Sequence, residues 1–473
     1  MNILIKQGNQ ILFKNATVKV KMEELKKFRI YNSLTRKINT INLDKEVQIY
    51  LCGPTVYSDI HIGNIRPPLL IDVIIRSFEK GKINFKYVQN ITDVDDKIID
   101  RAKKEKKTES EISNFYKESY IKNLKKLDII EPELHLVTNN IDKIINFIKK
   151  IENNFDLYKT EQNVIFKIEN KKEEYSKLSN QKIEKLSSEK GRKVNKSYKL
   201  DRKDFILWKK IEEGIGWNSP WFEKGRPGWH TECAALIDHL FNHNTIDIHA
   251  GGKDLKFPHH ENERIQYISA NDKEIAKLWI HFGHINFKEK KMSKSLENVL
   301  TLKEYFKKNN TNSLKILIFS SKYNEDIEIN DFKIQQASAI SKKIFNVNKK
   351  VNFFLFINEI KSLNDEKFFF NECFEKIFNL LETPKLISML EKEISFLNKS
   401  IKISTLKKFK NELTINSMKR FYFICDILGL SINKNEYNEI ISKKIMEWKE
   451  FIKNKDFNKA DEIRKYLQEN SII

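Results

Sequence analysis

Two cysteines and a short segment rich in histidine and glutamate offer the ligands that a soft metal ion prefers. Cys52 follows an apolar run, Cys233 lies far downstream, and the segment His259-His260-Glu-Asn-Glu263 follows both. Either histidine can share a helical face with Glu263, because side chains three and four residues apart are neighbours on a helix. Two thiolates, one imidazole and one carboxylate would form a tetrahedral zinc shell. Spacing alone leaves the choice of histidine open, and a packed cysteine beside a charged helix is the alternative.

A second group of residues is suited to binding phosphate. The segment His61-Ile-Gly63-Asn64 lies between a predicted strand and a predicted helix. A loop that opens onto a helix N-terminus exposes backbone N–H groups and favours anions. His61 and Asn64 can donate hydrogen bonds to phosphate oxygens, and Gly63 lets a ligand approach the backbone closely. A Gly/Pro turn with a polar capping residue is the alternative interpretation.

A third group is the loop Lys291-Met-Ser-Lys294-Ser, far downstream of the phosphate-binding segment. Two lysines on either side of a serine supply mobile cations, which suit the charge that develops on a leaving polyphosphate. Taken alone, such a loop is more often a solvated surface. The order of the two segments, with the histidine segment first, is what makes the pair informative.

The whole chain carries a strong positive charge. Its 473 residues include 86 lysines and arginines against 65 acidic residues, which gives a formal net charge of +21. This excess favours a polyanionic partner such as RNA or DNA, although an AT-rich genome would also enrich lysine. No apolar run approaches the ~18 residues of a membrane span, and no signal-peptide pattern occurs. The four widely spaced cysteines are typical of a reducing cytoplasm, where we expect the protein.

Apolar patterning predicts the elements that position these residues. Val47–Leu51 and Phe85–Ile91 are predicted strands with a helix over 69–78 between them, which is a βαβ unit with a parallel sheet. Strands return at 245–249 and 279–285. We therefore predict an α/β fold in which a Rossmann-like parallel-sheet catalytic domain is split by an insertion. Ligands of such folds bind beyond the carboxyl ends of the strands.

The remaining segments are predicted from their periodicity and charge. Residues 108–210 show a mostly helical pattern, and within them 171–199 is poor in large apolar residues and is predicted to be a solvated loop. Everything after about 301 is predicted to form helices, as in a C-terminal α-helical bundle. Met22 is an alternative start to Met1.

The two phosphate segments together resemble the His-Ile-Gly-His and Lys-Met-Ser-Lys-Ser signatures of class I aminoacyl-tRNA synthetases, with Asn64 in place of the last histidine. Longer motifs are similar to those of the cysteinyl-tRNA synthetase family. They are Cys52-Gly-Pro-Thr-Val-Tyr, Asn90-Ile-Thr-Asp-Val-Asp-Asp-Lys97, Ser219-Pro-Trp221, Gly225-Arg-Pro-Gly-Trp-His-Thr-Glu-Cys233 and Phe257-Pro-His-His-Glu-Asn-Glu263. The resemblance is strong over roughly 28–330 and follows the general pattern of the family elsewhere.

The resemblance implies one zinc ion per chain, held by four residues that match the family's ligands: Cys52, Cys233, His259 and Glu263. It settles the histidine that spacing left open. In the family the zinc binds the substrate thiol, and it discriminates against serine because it stabilises a thiolate far better than an alkoxide. Residues that match the family's amino-acid pocket are Thr92, Trp229 and His259, and Asp254 matches the carboxylate near the adenosine ribose.

The implied enzyme is a cysteine–tRNA ligase that works in two steps. L-Cysteine and ATP, with Mg²⁺ on the polyphosphate, give cysteinyl-adenylate and pyrophosphate, and the tRNA for cysteine then accepts the cysteinyl group at its 3′ end. The residues expected to position and neutralise the phosphates are His61, Asn64, Lys291 and Lys294, and those expected to bind ATP are His61, Gly63, Asn64, Asp254 and Lys294. We expect a monomer without a membrane partner.

The expected domains follow from the resemblance. They are an N-terminal extension (1–24), the first half of the Rossmann-like catalytic domain (25–140), a connective insertion (141–224), the second half of the catalytic domain (225–285), a Lys-Met-Ser-Lys-Ser loop and stem-contact region (286–340), and a helical anticodon-binding domain (341–473). The chain ends at Ile473, before the strand-rich segment of many relatives, which leaves the anticodon contacts open.

Two alternative functions remain at this point. A related zinc-dependent ligase could join cysteine to an amino sugar, but such an enzyme has no need of a long basic helical bundle. An inactive RNA-binding paralogue would be expected to lose zinc ligands or loop lysines, and this sequence retains them.

Overall fold

The computed structural model describes residues 26–181, 200–287, 290–291, 300–360, 363, 370–401, 412–432, 437–470 and 472. Within them the strands are β1 (Lys27–Asn32), β2 (Lys37–Asn42), β3 (Val47–Leu51), β4 (Phe85–Ile91), β5 (Glu133–Leu136), β6 (Leu157–Lys159), β7 (Asn163–Phe166), β8 (Phe205–Lys210), β9 (Gly225–Pro227), β10 (Ile246–Gly252), β11 (Ala276–Phe282), β12 (Ile285–Phe287), β13 (Lys290–Lys291) and β14 (Ile327–Ile329). The predicted N-terminal extension and Lys294 lie outside the described residues.

The helices of the described residues connect and cover these strands. They are α1 (Ile62–Gly81), α2 (Asp96–Glu105), α3 (Glu109–Lys126), α4 (Ile141–Asn153), α5 (Trp229–Leu240), α6 (Glu261–Asn271), α7 (Leu302–Tyr305), α8 (Thr311–Phe319), α9 (Asp331–Ile357), α10 (Phe370–Phe378), α11 (Thr383–Ser400), α12 (Glu412–Ile427), α13 (Glu439–Lys453) and α14 (Phe457–Glu469). None of these helices combines the length and the apolar character that crossing a bilayer requires.

A five-stranded parallel sheet forms the centre of the catalytic half, with the strand order β11-β10-β3-β4-β5. The chain runs outward from β3 to β5 and then returns to place β10 and β11 on the other side of β3. The order therefore reverses between β3 and β10, and ligands of open α/β sheets bind at such a switch point. The predicted α/β fold with its βαβ unit is confirmed.

Two apolar cores cover the two faces of this sheet. One core packs α1 against the sheet and continues into the C-terminal helices, through residues such as Phe378 and Leu390. The other core packs α4, α5 and α6 on the opposite face and includes Trp208 and Trp279. Because both faces are covered, β3 and β4 are almost wholly buried, and their sequences are apolar without clear alternation.

The mostly helical interpretation of 108–210 is wrong for its second half. The short strands β6, β7 and β8 lie there, and together with β9 they form a four-stranded antiparallel sheet. Short apolar runs such as Asn163–Phe166 do not distinguish a buried strand from a helical turn, because periodicity needs a longer window. The solvated-loop prediction is also wrong for its first part, since Tyr175 and Leu178 are buried. Residues 182–199 lie outside the described residues.

Among the described residues after 301, the regular elements are helices, apart from strand β14. Strand β14 pairs in parallel with β12, which also pairs with β13 at the start of the lysine loop. Helices α8 and α9 agree with the helical pattern predicted for this region. The strand Ile327–Ile329 was missed because three residues are too few to show alternation.

Candidate active site

Four of the predicted metal ligands converge beyond the carboxyl end of β3. Cys52 follows that strand, Cys233 lies in α5, His259 precedes α6, and Glu263 is in the first turn of α6. Their ligand atoms all lie within 4.8 Å of one another. The two sulfur atoms are 3.8 Å apart, and His259 Nε2 lies 2.8 Å from Glu263 Oε1 and 3.6 Å from the Cys233 sulfur. The set suits zinc, which binds thiolates, imidazole and carboxylates.

A second set of possible ligands overlaps the first. It consists of Cys52, His249, His260 and Glu263, again within 4.8 Å of one another. His260 Nε2 lies 3.3 Å from the Cys52 sulfur, and His249 Nε2 lies 2.6 Å from Glu263 Oε2. Each histidine of the motif therefore lies beside a cysteine sulfur. Of the two sets, the one with two thiols has the softer ligands and is the better match to zinc. Sequence analysis missed His249, whose only signal was a histidine inside an apolar strand.

The electrostatics of the four ligands fit a divalent cation. Although burial disfavours charge, His259 and His249 hold the pKa of Glu263 well below its usual range. Burial also opposes ionisation of Cys233, yet hydrogen bonds from Cys52 and His259 lower its pKa to about 6. Burial, followed by the neighbouring Cys233, raises the pKa of Cys52. The Glu263 carboxylate and the easily ionised Cys233 thiol therefore lie close together in a buried site. A bound cation would stabilise both negative charges.

Neighbouring aromatic rings pack against His259, and the insertion contacts the helix that follows it. Trp229 stacks on His259 with the ring centroids 4.1 Å apart, and His230 Nδ1 lies 3.1 Å from His259 Nδ1. Behind α6, the Tyr175 hydroxyl donates to Asn262 at 2.9 Å. The segment that was predicted to be a solvated loop therefore contacts the helix that carries Glu263 and follows His259.

Thr92 lies in a hydrogen-bonded chain that reaches back to the cysteine loop. Its hydroxyl donates to Glu232 Oε2 at 2.9 Å and accepts from Asn90 Nδ2 at 3.2 Å. The Asn90 side chain in turn accepts from the Gly53 amide at 2.8 Å. Burial raises the pKa of Glu232 well above its usual range, and Thr92 is the neutral donor that satisfies it. Cys52, Thr92 and the start of α5 are thereby joined in one polar network.

The phosphate segment caps α1. His61 is the N-cap residue, and its Nδ1 accepts from the Gly63 amide at 3.1 Å. The Asn64 side-chain oxygen accepts from the His61 amide at 3.1 Å, which completes a capping box. Asn64, the residue that differs from the family signature, therefore helps to cap α1, and an asparagine side chain is able to do so.

The lysine loop is anchored at both ends beside this helix. Strand β13 pairs Lys291 with Asn286, and at the other end Thr301 forms a bridge to His61. Lys294 lies between these anchors, outside the described residues. Asp254 follows β10 at the switch point, half-exposed and 3.9 Å from His284 Nδ1. The structure therefore brings Asp254, the ends of the lysine loop and His61 to the same edge of the sheet.

Sequence analysis missed Arg66, which lies on α1 just after the phosphate segment. Its guanidinium is fully buried and donates to the carbonyls of His284 at 3.1 Å and Lys322 at 2.9 Å. These carbonyls lie before strands β12 and β14. Strand β12 leads into the lysine loop, and β14 pairs with it. A buried arginine at the base of this sheet leaves no distinctive pattern in a lysine-rich sequence.

The crevice at a strand-order reversal, with a helix N-terminus beside it, is the arrangement of a nucleotide-binding α/β enzyme. Residues 38–339 match the family described as tRNA synthetases class I (C) catalytic domain. A solved structure of the methionyl-tRNA synthetase of Mycobacterium tuberculosis bound by methionyl-adenylate aligns with a TM-score of 0.58 at 12% identity, over 85% of this chain and 94% of that chain. At that identity the likeness shows the fold alone.

Curated relatives are more specific. The cysteine–tRNA ligase of Mycoplasma mycoides is 42% identical over 94% of this chain and 100% of its own length. Those of Mesoplasma florum and Acholeplasma laidlawii are 42% and 37% identical with the same coverage. The chain therefore belongs to the cysteine–tRNA ligase family of class I tRNA synthetases.

Proposed function

We propose that this protein activates L-cysteine with ATP and transfers the cysteinyl group to the 3′ end of the tRNA for cysteine. The observation that carries the proposal is the convergence of Cys52, Cys233, His259 and Glu263 beside the nucleotide crevice of a family member. Membership implies ATP-dependent aminoacylation, and the four side chains supply a reason for the choice of amino acid. No observation favours an amino-sugar acceptor or an inactive paralogue.

One zinc ion held by these four residues would supply a Lewis acid that binds the substrate thiol in its ionised form. Serine is nearly isosteric with cysteine, but its hydroxyl ionises far less readily, so recognition through a metal separates the two without an editing domain. Trp229 and Thr92 then form the walls of the amino-acid pocket, because both contact groups within or next to the ligand cluster.

The roles proposed for residues at the ATP phosphates follow from the helix start and from the two ends of the lysine loop. The N-terminus of α1 presents the positive end of the helix dipole to the polyphosphate. His61, Gly63 and Asn64 lie at that terminus, and Lys291 and Lys294 would neutralise the leaving pyrophosphate with Mg²⁺. Asp254 at the end of β10 would bind the ribose. The carboxylate of cysteine is itself the nucleophile, so the protein provides positioning and charge stabilisation.

The second step needs a polyanionic acceptor, and the chain has the charge for it. The net charge of +21 and the basic helices after 341 support tRNA as that acceptor. We expect the reaction in the cytoplasm and the enzyme as a monomer. The four cysteines are free thiols in the structure, as a reducing compartment requires.

The first test is ATP–pyrophosphate exchange by purified protein without tRNA, with cysteine, serine or methionine, before and after zinc removal. Exchange with cysteine alone, lost on chelation and restored by zinc, would support both activation and the role of the metal. Equal exchange with cysteine and serine would contradict the zinc argument. Exchange with no amino acid from folded, zinc-loaded protein would contradict the function itself.

A further inference from the structure

A buried ionic cluster joins the catalytic half to the C-terminal helices. Helix α1 contributes Asp72 and Arg76, α8 contributes Lys315, and the chain after α12 contributes the carbonyl of Gly429. Lys315 is fully buried, and its ammonium donates to the Gly429 carbonyl. Arg76 Nε donates to Asp72 Oδ2 at 2.8 Å, and the other Asp72 oxygen accepts from the amide of Ile130 at 2.8 Å. We call Asp72, Arg76, Lys315 and this carbonyl the ionic joint.

The end of α12 is shaped to meet these cations. Gly429 has φ +57, in the left-handed region, and its amide donates to the Asp426 carbonyl at 2.9 Å as the helix closes. A Cβ atom at Gly429 would lie 2.9 Å from Arg76 Nε and 3.0 Å from Lys315 Nζ. Only glycine therefore lets the helix end approach so closely. The C-terminal end of a helix carries partial negative charge, which both cations face.

The joint extends to the surface through a more exposed pair. Lys80, in the last turn of α1, forms an ion pair with Asp426 near the end of α12, and both side chains are partly exposed. Arg76 also pairs with Asp128 at 3.1 Å. The end of α12 is thus connected to α8 by a buried contact and to α1 by an accessible one.

Stability is a poor explanation for the buried lysine. Burial lowers the pKa of Lys315 to about 8, although Asp72 and Asp128 favour its charge. The folded environment therefore opposes the charged form. Replacement of buried ion clusters by apolar side chains is often neutral or stabilising, so the gain in stability does not account for a charged cluster at this place.

A charged cluster at this place can instead set the direction of the C-terminal helices relative to α1. His61 caps the first turn of α1, while Arg76 and Lys80 lie in its last turns. The twenty residues of this helix span about 30 Å. One rigid element therefore carries the phosphate segment at one end and the ionic joint at the other.

We propose that Lys315 and Arg76 are positioning residues for the transfer of cysteine to tRNA. They hold the C-terminal helices at the angle to α1 that places the 3′ end of a bound tRNA at the adenylate. The inference rests on the proposed function, because it needs tRNA to contact both the helices and the crevice. Activation of cysteine uses the crevice alone and does not depend on the joint.

The test separates the two half-reactions by ATP–pyrophosphate exchange and by tRNA charging. Lys80→Glu places like charges opposite each other at the accessible pair without altering the core. We expect exchange close to wild type and a fall of about tenfold or more in kcat/KM for charging, since small misplacements far from the reacting atoms are costly. The charge-swapped double variant Lys80→Glu/Asp426→Lys should recover charging.

A second variant addresses the buried part of the joint. Lys315→Met removes the cation at similar volume and should show the same selective loss of charging. Lys150→Met is the matched control, because Lys150 pairs with the buried Asp238 at 2.7 Å within the catalytic half. In the control, exchange and charging should change together or remain unchanged.

Each result decides the inference. If the joint variants lose exchange and charging to the same extent, the joint has only a structural role and the inference is wrong. Unchanged charging in both Lys80→Glu and Lys315→Met would also contradict the inference. A double variant that stays as poor as Lys80→Glu would also count against it. Absence of charging in the wild type, with exchange intact, would instead contradict the tRNA acceptor and hence the proposed function.

Discussion

The amide of Ile62 donates a hydrogen bond to the carbonyl of Leu300 at 3.1 Å. Leu302 returns the contact by donating to Ile60 at 3.2 Å. The first residue of α1 is thereby bound to the residues that follow the lysine loop, although the two segments lie far apart in the sequence. This pairing places the residues that follow the lysine loop beside the helix N-terminus where the polyphosphate is proposed to bind.

Lys294→Ala should lower ATP–pyrophosphate exchange by about 10²–10³-fold, the usual cost of removing one preorganised group that stabilises developing charge. Cysteine binding, measured at equilibrium, should change little, because the proposed amino-acid pocket lies at the candidate metal ligands. Lys308→Ala, an exposed lysine after the loop, is the control. Equal losses of exchange and cysteine binding would contradict the role of Lys294.

Cys233→Ser should strongly reduce zinc content, from about one ion per chain, because a hydroxyl is a much poorer zinc ligand than a thiolate. Metal analysis of dialysed protein gives the measurement. Cys425→Ser is the matched control, since Cys425 is equally buried but lies in α12. Full zinc retention in Cys233→Ser would favour the alternative set with His249 and His260.

Gly53→Ala should destabilise the folded protein by about 1–3 kcal/mol or more, as overpacking of a core usually does. A Cβ atom at Gly53 would lie 1.6 Å from the backbone oxygen of Asn90, which cannot move aside as a side chain can. At Gly81 the nearest atom is the flexible end of Ile83 at 3.2 Å, so Gly81→Ala is the control. Urea unfolding compares the two, and equal stabilities would show that the loop beside Cys52 is adaptable.

Thr92→Val should raise the KM for cysteine in the exchange reaction by roughly tenfold and destabilise the protein by about 1–3 kcal/mol. The variant leaves the buried Glu232 without its hydroxyl donor. Thr92→Ser keeps the hydroxyl and should remain close to wild type in both measurements. If Thr92→Ser is as impaired as Thr92→Val, the methyl group and not the hydrogen bond is what matters.

The stability difference between Lys315→Met and the wild type should change with pH, by up to roughly 3 kcal/mol. The lysine faces Asp72, Arg76 and Asp128, and burial lowers its pKa from 10.5 to about 8. Below pH 8 the folded and unfolded chains both hold the proton, so the difference between the two proteins is constant. Between about pH 8 and 10.5 only the folded chain has released it, so the wild type gains stability relative to the variant. Urea unfolding at about pH 7 and pH 10 tests this, and a constant difference would contradict the lowered pKa.

Much of the catalytic sheet could be predicted because its strands are buried on both faces. Val47–Leu51 and Phe85–Ile91 were predicted with the bounds that the structure shows, since short segments rich in β-branched and aromatic residues, bounded by Gly and Pro, favour strands. The antiparallel sheet of the insertion could not be predicted in the same way. Its strands are short, and their order depends on partners that are distant in sequence.

The sequence by itself determined the chemical types of the site, the order of its motifs and the family. It did so because thiols, imidazoles and phosphate-binding turns are recognisable without their surroundings. Only the tertiary structure decided which of these groups meet. It added His249 to the ligand cluster, and it connected Thr92 to Glu232 and Lys315 to Gly429. Such contacts arise from packing between elements, which one-dimensional spacing does not encode.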